Sequence, residues 1–230
     1  MIRRLIILLL IVGCDTKVCD FFLGNICESD ESEVSADTEA VEGACPDKFC
    51  FPLDEYVVTL GFGEWHPDYW ENEPAGLYHA AEDVAGDAGT PVYAIADGVM
   101  DYSGAWGAPP PGWSNTGDAV ILINHQNPYI YSLYGHLSLS RWYKPIECLA
   151  GGACRNVKKG ELIGYLADLD ESGSFSEHLH FAIRTGNMTD YYKYSGQWEW
   201  RIFGGHTVGN PADVGWLHPS NFITEQNLIN

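Results

Sequence analysis

Residues 177–184 read EHLHFAIR, a short run in which apolar side chains alternate with polar ones. A period of two is typical of a β-strand with one buried face. In such a strand the apolar residues point to the core, and His178 and His180 point together to the opposite face. Neutral imidazole is the commonest protein ligand of a catalytic zinc, which usually takes three protein ligands and keeps one position for water. This strand therefore predicts part of a metal site whose other ligands lie elsewhere.

Two upstream segments supply candidate partners for such a site. His79 is followed four residues later by Asp83, and His136 lies in the run YGHL at residues 134–137. A spacing of four places two side chains on one face of a strand or of a helical turn, and the glycines and proline that follow favour an extended segment. With one histidine of residues 177–184, His79 and Asp83 would form a His2Asp set with an open fourth position. Any one of these histidines taken alone would be interpreted as an ordinary polar residue.

The chain from about residue 51 onward has the composition of a mostly β domain. β-branched and aromatic runs are broken by Gly, Pro, Asn and Asp, and no long segment has helical periodicity. Two aromatic stretches, residues 104–117 and 186–210, are expected to be loops that either wall a groove or pack on themselves. The candidate strands are residues 56–60, 91–96, 99–102, 119–124, 130–134, 161–166 and 178–183.

The amino-terminal residues have the pattern of an export signal. Arg3 and Arg4 precede an apolar run at residues 5–12, which is too short to span a bilayer stably. The run ends in IVGC at residues 11–14, which resembles the bacterial lipobox, and this implies cleavage before Cys14 and acylation of that cysteine. An ordinary signal peptide with a coincidental cysteine is the alternative.

The charge of the chain excludes one class of partner and indicates a tether. A formal net charge of −20 disfavours binding to nucleic acid, whose phosphates would be repelled. Residues 28–42 contain several acids, no base, and mainly small residues besides, which is typical of a disordered segment. We expect a signal peptide at residues 1–13, a lipid-anchored acidic tether at 14–50 and a folded domain at 51–225.

The cysteines suggest disulfides in an exported protein. Of the seven cysteines, six remain once Cys14 is set aside as the lipid acceptor. Proximity in sequence favours the pair Cys148 with Cys154 and also Cys45 with Cys50. A cysteine-based zinc site is the competing interpretation, and the spacings lack the tight pairs that such sites use.

Several of these runs together resemble the lysostaphin-like, or LytM-type, zinc metallopeptidases, which cleave peptide bonds in bacterial peptidoglycan. The resemblance covers about residues 60–184. It implies a single antiparallel β-sheet domain with an open groove and long loops. The matching runs are HAAED at residues 79–83, GTPVYAIADGV at 89–99, YGHL at 134–137, VKKGELIG at 157–164 and HLHF at 178–181.

The resemblance also implies a role for each site residue. His79, Asp83 and His180 would bind one Zn²⁺ per chain, and His136 and His178 would be the catalytic histidines that do not bind the metal. One of these two would take a proton from water while the other stabilises the oxyanion or assists the leaving amine, and the sequence leaves their order open. We expect none of four other histidines to be ligands: His66, His125, His206 and His218.

Two departures from the family pattern bear on the groove. Ala81 stands where the family commonly has glycine, and Glu177 precedes the histidine strand where a different context is usual. These differences bear on substrate preference more than on catalysis.

Two functions are compatible with this resemblance. The first is a zinc-dependent endopeptidase, exported to the cell envelope and anchored to the membrane at Cys14, that hydrolyses stem or cross-link peptides of peptidoglycan. The second is a non-catalytic relative that binds peptidoglycan or activates a cell-wall amidase. Such relatives typically lose metal ligands, whereas His79, Asp83 and His180 are all present, which favours the enzyme.

Overall fold

The structure is a computed structural model that describes residues 45–66, 77–105, 118–141, 146–147, 155–172, 176–186, 205–207 and 209–229. All of these belong to one compact unit, Ala40–Asn230. The predicted signal peptide, the predicted acylation site Cys14, most of the predicted tether, the predicted pair Cys148 and Cys154, and most of both predicted aromatic loops lie outside the described residues. No helix within the described ranges is long and apolar enough to cross a bilayer.

The described elements are mostly short strands. In chain order they are β1 (Val58–Leu60), β2 (Trp65–His66), β3 (Leu77–His79), β4 (Glu82–Ala85), β5 (Pro91–Tyr93), β6 (Gly98–Ala105), β7 (Asp118–Gln126), β8 (Tyr129–Ser138), β9 (Ile146–Glu147), β10 (Arg155–Val157), β11 (Leu162–Tyr165), β12 (His178–Thr185), β13 (His206–Thr207) and β14 (Trp216–Leu217). The helices are α1 (Leu169–Ser172), α2 (Pro219–Leu228) and a 3₁₀ turn, Pro211–Val214.

One large sheet carries most of the framework. Its strand order is β1-β4-β12-β8-β7-β6-β10, with β14 added beside β12 and β9 beside β6. Strands β11 and β5 form a two-stranded sheet, and β13, β3 and β2 form a three-stranded one. All described strand pairs are antiparallel. The predicted fold class, mostly β with antiparallel sheet, is therefore confirmed.

The alternation predicted for the histidine strand is present in β12. Leu179, Phe181 and Ile183 are fully buried in the larger apolar cluster, together with residues of β5, β7 and β8. Ala182 belongs instead to a second cluster on the opposite face of the sheet. His178 and His180 share that opposite face because their positions alternate with those of the core residues.

Some element boundaries differ from the sequence-based expectation. The segment from His79 to Asp83, expected to be one extended piece, consists of β3 and β4 separated by the buried Ala80 and Ala81. Helix α2 was not predicted at all. Its only buried residues are Pro219 and Ile223, so a single turn contacts the core and no helical apolar stripe runs through the sequence.

The folded unit includes residues before position 51. Phe49 is fully buried and packs edge-on against Phe222 of α2, with ring centroids 5.2 Å apart. The Asn227 side chain accepts from the Phe49 N–H and donates to its carbonyl. The predicted disulfide between Cys45 and Cys50 is present. Residues 45–50, which were predicted to belong to the tether, therefore pack onto α2.

Candidate metal centre

The pairing of β12 with β4 brings two of the predicted ligands together. His180 lies directly opposite Asp83 in this antiparallel pair. Directly opposed residues of neighbouring strands point to the same face of a sheet, so these two side chains meet. His79 ends β3 and approaches from the three-stranded sheet, where it pairs with His206 of β13.

The structure places one nitrogen of each imidazole beside a single carboxylate oxygen. Asp83 Oδ1 lies 2.9 Å from His180 Nδ1 and 3.2 Å from His79 Nε2, and the two nitrogens are 3.2 Å apart. Ligands at the corners of a tetrahedron around Zn²⁺, with bonds of about 2.0 Å, lie about 3.3 Å apart. The three atoms therefore fit one face of such a tetrahedron. Among the described residues, only these three form such a group of His, Cys, Asp or Glu side chains.

The surroundings of His79 hold its ring in the orientation a metal requires. Its Nδ1 lies 3.1 Å from the carbonyl oxygen of Gly61, which can only accept a hydrogen bond. The proton therefore resides on Nδ1, and the lone pair of Nε2 faces Asp83 and His180. The backbone of the same loop also binds the histidine, because Gly63 N–H donates to the His79 carbonyl. Most metal-binding histidines are oriented by a hydrogen bond from the ring nitrogen that does not bind the metal, and Nδ1 of His79 makes a bond of this kind.

The protonation states of the group also suit a divalent cation. Burial alone would raise the pKa of Asp83, but its close contacts with the imidazoles of His180 and His79 outweigh burial and hold the pKa far below its usual range. Burial lowers the pKa of His180 to about 4, although Asp83 opposes this shift. At neutral pH the carboxylate is ionised and the His180 imidazole is neutral, which are the forms that bind a metal.

The two predicted catalytic histidines lie beside this group. The rings of His136 and His178 meet edge-on with centroids 4.5 Å apart. His178 donates from Nδ1 to the Ser176 carbonyl, and its Nε2 lies 3.6 Å from Asp83 Oδ1. Burial lowers the pKa of His178, with an opposing contribution from the Asp83 charge. His178 therefore presents an unprotonated Nε2 towards the group at neutral pH.

A β-bulge turns His136 towards the other histidines. Tyr134 pairs with Ile121 and Leu137 pairs with Ala119, so β8 has one residue more than β7 over this interval. His136 takes up the difference with a φ of 58°, which is left-handed backbone. Tyr134 and Leu137 both face the larger core. Regular alternation from Tyr134 would have turned His136 into that core as well.

The other described histidines lie outside the group of three. One of them, His206, nevertheless lies close to it, which the sequence did not predict. His206 is buried, with its ring centroid 5.3 Å from that of His79 and 5.4 Å from that of His180, the latter in a stacked arrangement. Nothing in its sequence context indicated this position, because the pairing of β13 with β3 joins residues far apart in the chain. His125 and His218 bind elsewhere, to the Asp97 carbonyl and to Glu82.

The fold and this group of side chains define a mostly β protein with a candidate divalent-metal centre. The chain belongs to peptidase family M23, which matches it over residues 77–191. The matched segment begins with β3 and contains every residue of the site: His79, Asp83, His136, His178 and His180.

Relatives among characterised proteins match a smaller part of the chain. The DD-carboxypeptidase/endopeptidase Mpg of Neisseria meningitidis serogroup B is 34% identical over 106 residues, which are 46% of this chain and 20% of that protein. The protein of the same name from Neisseria gonorrhoeae matches to the same extent. The chain thus spans a fifth of the length of these relatives.

Solved structures with a similar fold include lysostaphin from Staphylococcus simulans. It is 20% identical, with a TM-score of 0.47, and the similarity covers 82% of this chain and 58% of lysostaphin. A zinc-containing peptidase from Vibrio cholerae is 26% identical, with a TM-score of 0.39, over 58% of this chain and 35% of that peptidase.

Proposed function

We propose that this protein is a zinc-dependent endopeptidase that hydrolyses peptide bonds in peptidoglycan stem or cross-link peptides. The observation that carries the proposal is the convergence of His79, Asp83 and His180 within 3.2 Å of one another in a family of peptidases. The three side chains supply the ligand number and types of a catalytic zinc site, with a fourth position left for water. Bound there, Zn²⁺ would supply a Lewis acid and lower the pKa of a water molecule.

The two other histidines have distinct parts in this proposal. His178 accepts the proton from the attacking water, because its Nδ1 proton is held by the Ser176 carbonyl and its Nε2 is available on the side of Asp83. The His136 ring lies 4.5 Å from that of His178 and 6.1 Å from that of His180, and in this proposal His136 hydrogen-bonds the developing oxyanion or the leaving amine. Neither side chain belongs to the group of three that would hold the metal.

The surrounding protein limits how far these groups can move. His79 and His180 are almost completely buried, and the Asp83 side chain is 15% exposed. Asp83 is the most exposed of the three, so a peptide would approach from the side of its carboxylate. Preorganised polar groups at such a site lower the barrier to hydrolysis because they do not have to reorient during the reaction.

We further propose that the protein acts in the cell envelope. Its export would follow from residues 1–13 and its membrane attachment from an acylated Cys14, with the residues before Cys45 as the tether and the residues from Cys45 onward as the catalytic domain. Mass spectrometry of the mature amino terminus tests this proposal. An unmodified first residue other than Cys14 would exclude the lipid anchor.

The test of the main proposal uses the purified protein, peptidoglycan sacculi and defined muropeptides. We expect one zinc per chain and the release of new amino groups from sacculi, both lost after chelation and restored by zinc. Mass spectrometry of the digested muropeptides then identifies the bond, with glycine bridges and D-alanyl to diaminopimelate cross-links as the two classes to compare. A protein that holds a full zinc complement and releases no amino groups would instead favour binding of peptidoglycan or activation of an amidase.

A further inference from the structure

Glu82 is a buried carboxylate next to one of the proposed metal ligands. It precedes Asp83 in β4 and is 1% exposed. A buried carboxylate without partners is strongly destabilising, so a residue of this type persists in a core only where hydrogen bonds replace its water. The position is also unexpected from the sequence, because a strand residue that faces the core is normally apolar.

Four hydrogen-bonding contacts replace water around Glu82. Its Oε2 accepts from the Tyr56 hydroxyl at 2.6 Å and from the Ser220 N–H at 3.1 Å. Its Oε1 accepts from the Ser220 hydroxyl at 2.7 Å and lies 3.0 Å from His218 Nδ1. Each carboxylate oxygen therefore has two partners. We call Tyr56, Glu82, His218 and Ser220 the Glu82 cluster.

The cluster joins β4 to the beginning of a helix. His218 is the N-cap residue of α2, and Ser220 lies in its first turn. The N–H groups of a first helical turn lack partners within the helix and favour a negative charge. The side chain of the N-cap residue, His218, makes no capping hydrogen bond to α2. Glu82 takes that place from a strand distant in sequence, so the helix and the strand hold each other in position.

Because neighbouring residues of a strand point to opposite faces, fixing Glu82 also fixes the direction of Asp83. Glu82 pairs with Phe181 of β12, and Asp83 pairs with His180. If β4 rotated about its axis, Glu82 would lose its four contacts and Asp83 would turn away from His180. The cluster on one face therefore opposes the movement that would separate the ligands on the other.

The same cluster reaches the His79 side of the site. The ring of His218 packs against that of Phe62, with centroids 5.5 Å apart. Phe62 lies between Gly61 and Gly63, whose backbone groups bind the ring and the carbonyl of His79. His218 thus contacts both the carboxylate that orients Asp83 and the loop that orients His79.

We infer that Glu82 and His218 are positioning residues for the metal centre, holding Asp83 and His79 at the separation that a divalent cation requires. The inference rests on the proposed zinc site and adds to it a support on the opposite face of the sheet. Neither residue would contact the metal or the substrate. Substitution of either one should therefore change metal affinity and coordination, and not stability alone.

The test measures zinc affinity by competition with a chromophoric chelator, using the full protein. Glu82→Gln keeps the size of the side chain but places an NH2 group against two donors, and we expect zinc binding to weaken by about 10-fold to 100-fold, as for other residues that orient metal ligands. His218→Phe keeps a ring beside Phe62 and removes the contact with Glu82, and a smaller loss in the same direction is expected. The matched control is Glu225→Gln, the same change at an exposed position of α2, with unchanged affinity.

A second readout separates positioning from general destabilisation. The visible absorption of the Co²⁺-substituted protein reports coordination geometry, and we expect it to shift in Glu82→Gln and to stay unchanged in Glu225→Gln. If Glu82→Gln does not fold, Tyr56→Phe and Ser220→Ala each remove part of the same set of hydrogen bonds and are measured in the same way.

The possible failures are distinguishable. Wild-type protein that binds zinc while the folded cluster variants bind it equally well, with the same Co²⁺ spectrum, would overturn the positioning inference and leave the proposed function intact. Cluster variants with a lower unfolding free energy but unchanged zinc affinity would also overturn the positioning inference, because the cluster would then only stabilise the fold. Wild-type protein that binds no zinc would overturn the proposed function, and the inference with it.

Discussion

His180 Nδ1 lies 2.9 Å from Asp83 Oδ1, directly across the pairing of β12 with β4. The two residues are 97 positions apart in the chain, and their contact depends on the register of one strand pair. A slip of one residue in that register would turn one of them to the opposite face of the sheet. The apolar residues that alternate with His180 prevent such a slip, because it would also expose Leu179 and Phe181.

The two kinds of histidine should respond differently to truncation. We expect His180→Ala to lose both bound zinc and peptidase activity, because one of the three proposed ligands is removed. His136→Ala should retain zinc and lose activity by about 10²-fold to 10⁴-fold, as for loss of a group that transfers protons or stabilises charge. Zinc content by atomic absorption and amine release from sacculi measure the two effects. Equal loss of zinc in both variants would contradict this division of roles.

The backbone of Gly205 limits the room beside His180. Its φ is 59°, and a Cβ added there would lie 2.2 Å from His180 Nε2. We expect Gly205→Ala to displace the His180 ring and weaken zinc binding at least about tenfold, the effect of disturbing a residue that orients a ligand. The measurement is the same chelator competition.

Gly160→Ala is the matched control for this prediction. Gly160 also has a positive φ, of 73°, and a Cβ there would meet nothing within 4 Å. The Gly160→Ala substitution therefore has a similar backbone strain of about 1 kcal/mol, but the added Cβ does not contact the site. Zinc affinity that falls equally in both variants would show that backbone strain, and not contact with His180, is responsible.

The sequence predicted much of the site because its strongest signals are local. The alternation in residues 177–184 placed His178 and His180 on one face, and the family pattern supplied His79, Asp83 and His136. The alternation needs only strand geometry, and the family pattern needs only short runs of sequence in a fixed order. They required no knowledge of which strand pairs with which.

Features that depend on long-range pairing were not predictable in this way. The bulge that turns His136 out of the core is defined by the mismatch between β7 and β8, and its sequence, YGHL, reads as regular strand. His206 reaches the site through the pairing of β13 with β3. His218 was expected only not to bind the metal, and its contact with Glu82 was not anticipated, because the fold of α2 against β4 brings the two residues together.

The disulfide between Cys45 and Cys50 should stabilise the amino-terminal edge of the domain. It closes a loop that holds the buried Phe49 against α2. For a loop of this length the expected contribution is about 2 kcal/mol, through restriction of the unfolded chain. We expect the double variant Cys45→Ala, Cys50→Ala to lower the unfolding free energy by that amount in urea titrations. Reductant should lower the wild type similarly and leave the double variant unaffected, and a shift in both would implicate another disulfide.

His125 gives the folded protein a specific sensitivity to acid. It is 1% exposed, donates from Nδ1 to the Asp97 carbonyl and contacts the Ser132 hydroxyl through Nε2 at 2.9 Å. Burial lowers its pKa below the ordinary 6.5, although the hydrogen bond and charge of Asp97 oppose the shift. Below about pH 6.5 the unfolded chain therefore binds more protons at this position than the folded one does. The contribution of His125 to stability is complete above that pH and is lost as the pH falls, by at most about 1.4 kcal/mol per pH unit.

The comparison of wild type with His125→Gln isolates this contribution from that of other titrating groups. Gln does not titrate, so the difference in unfolding free energy between the two proteins should shrink between about pH 7.5 and about pH 5.5. Urea unfolding in the presence of a chelator measures it without interference from the metal. A difference that stays constant over this range would mean that the folded state accommodates the protonated imidazole as readily as water does. The burial of the imidazole argues against that outcome, because a charged imidazole away from water is disfavoured in the folded state.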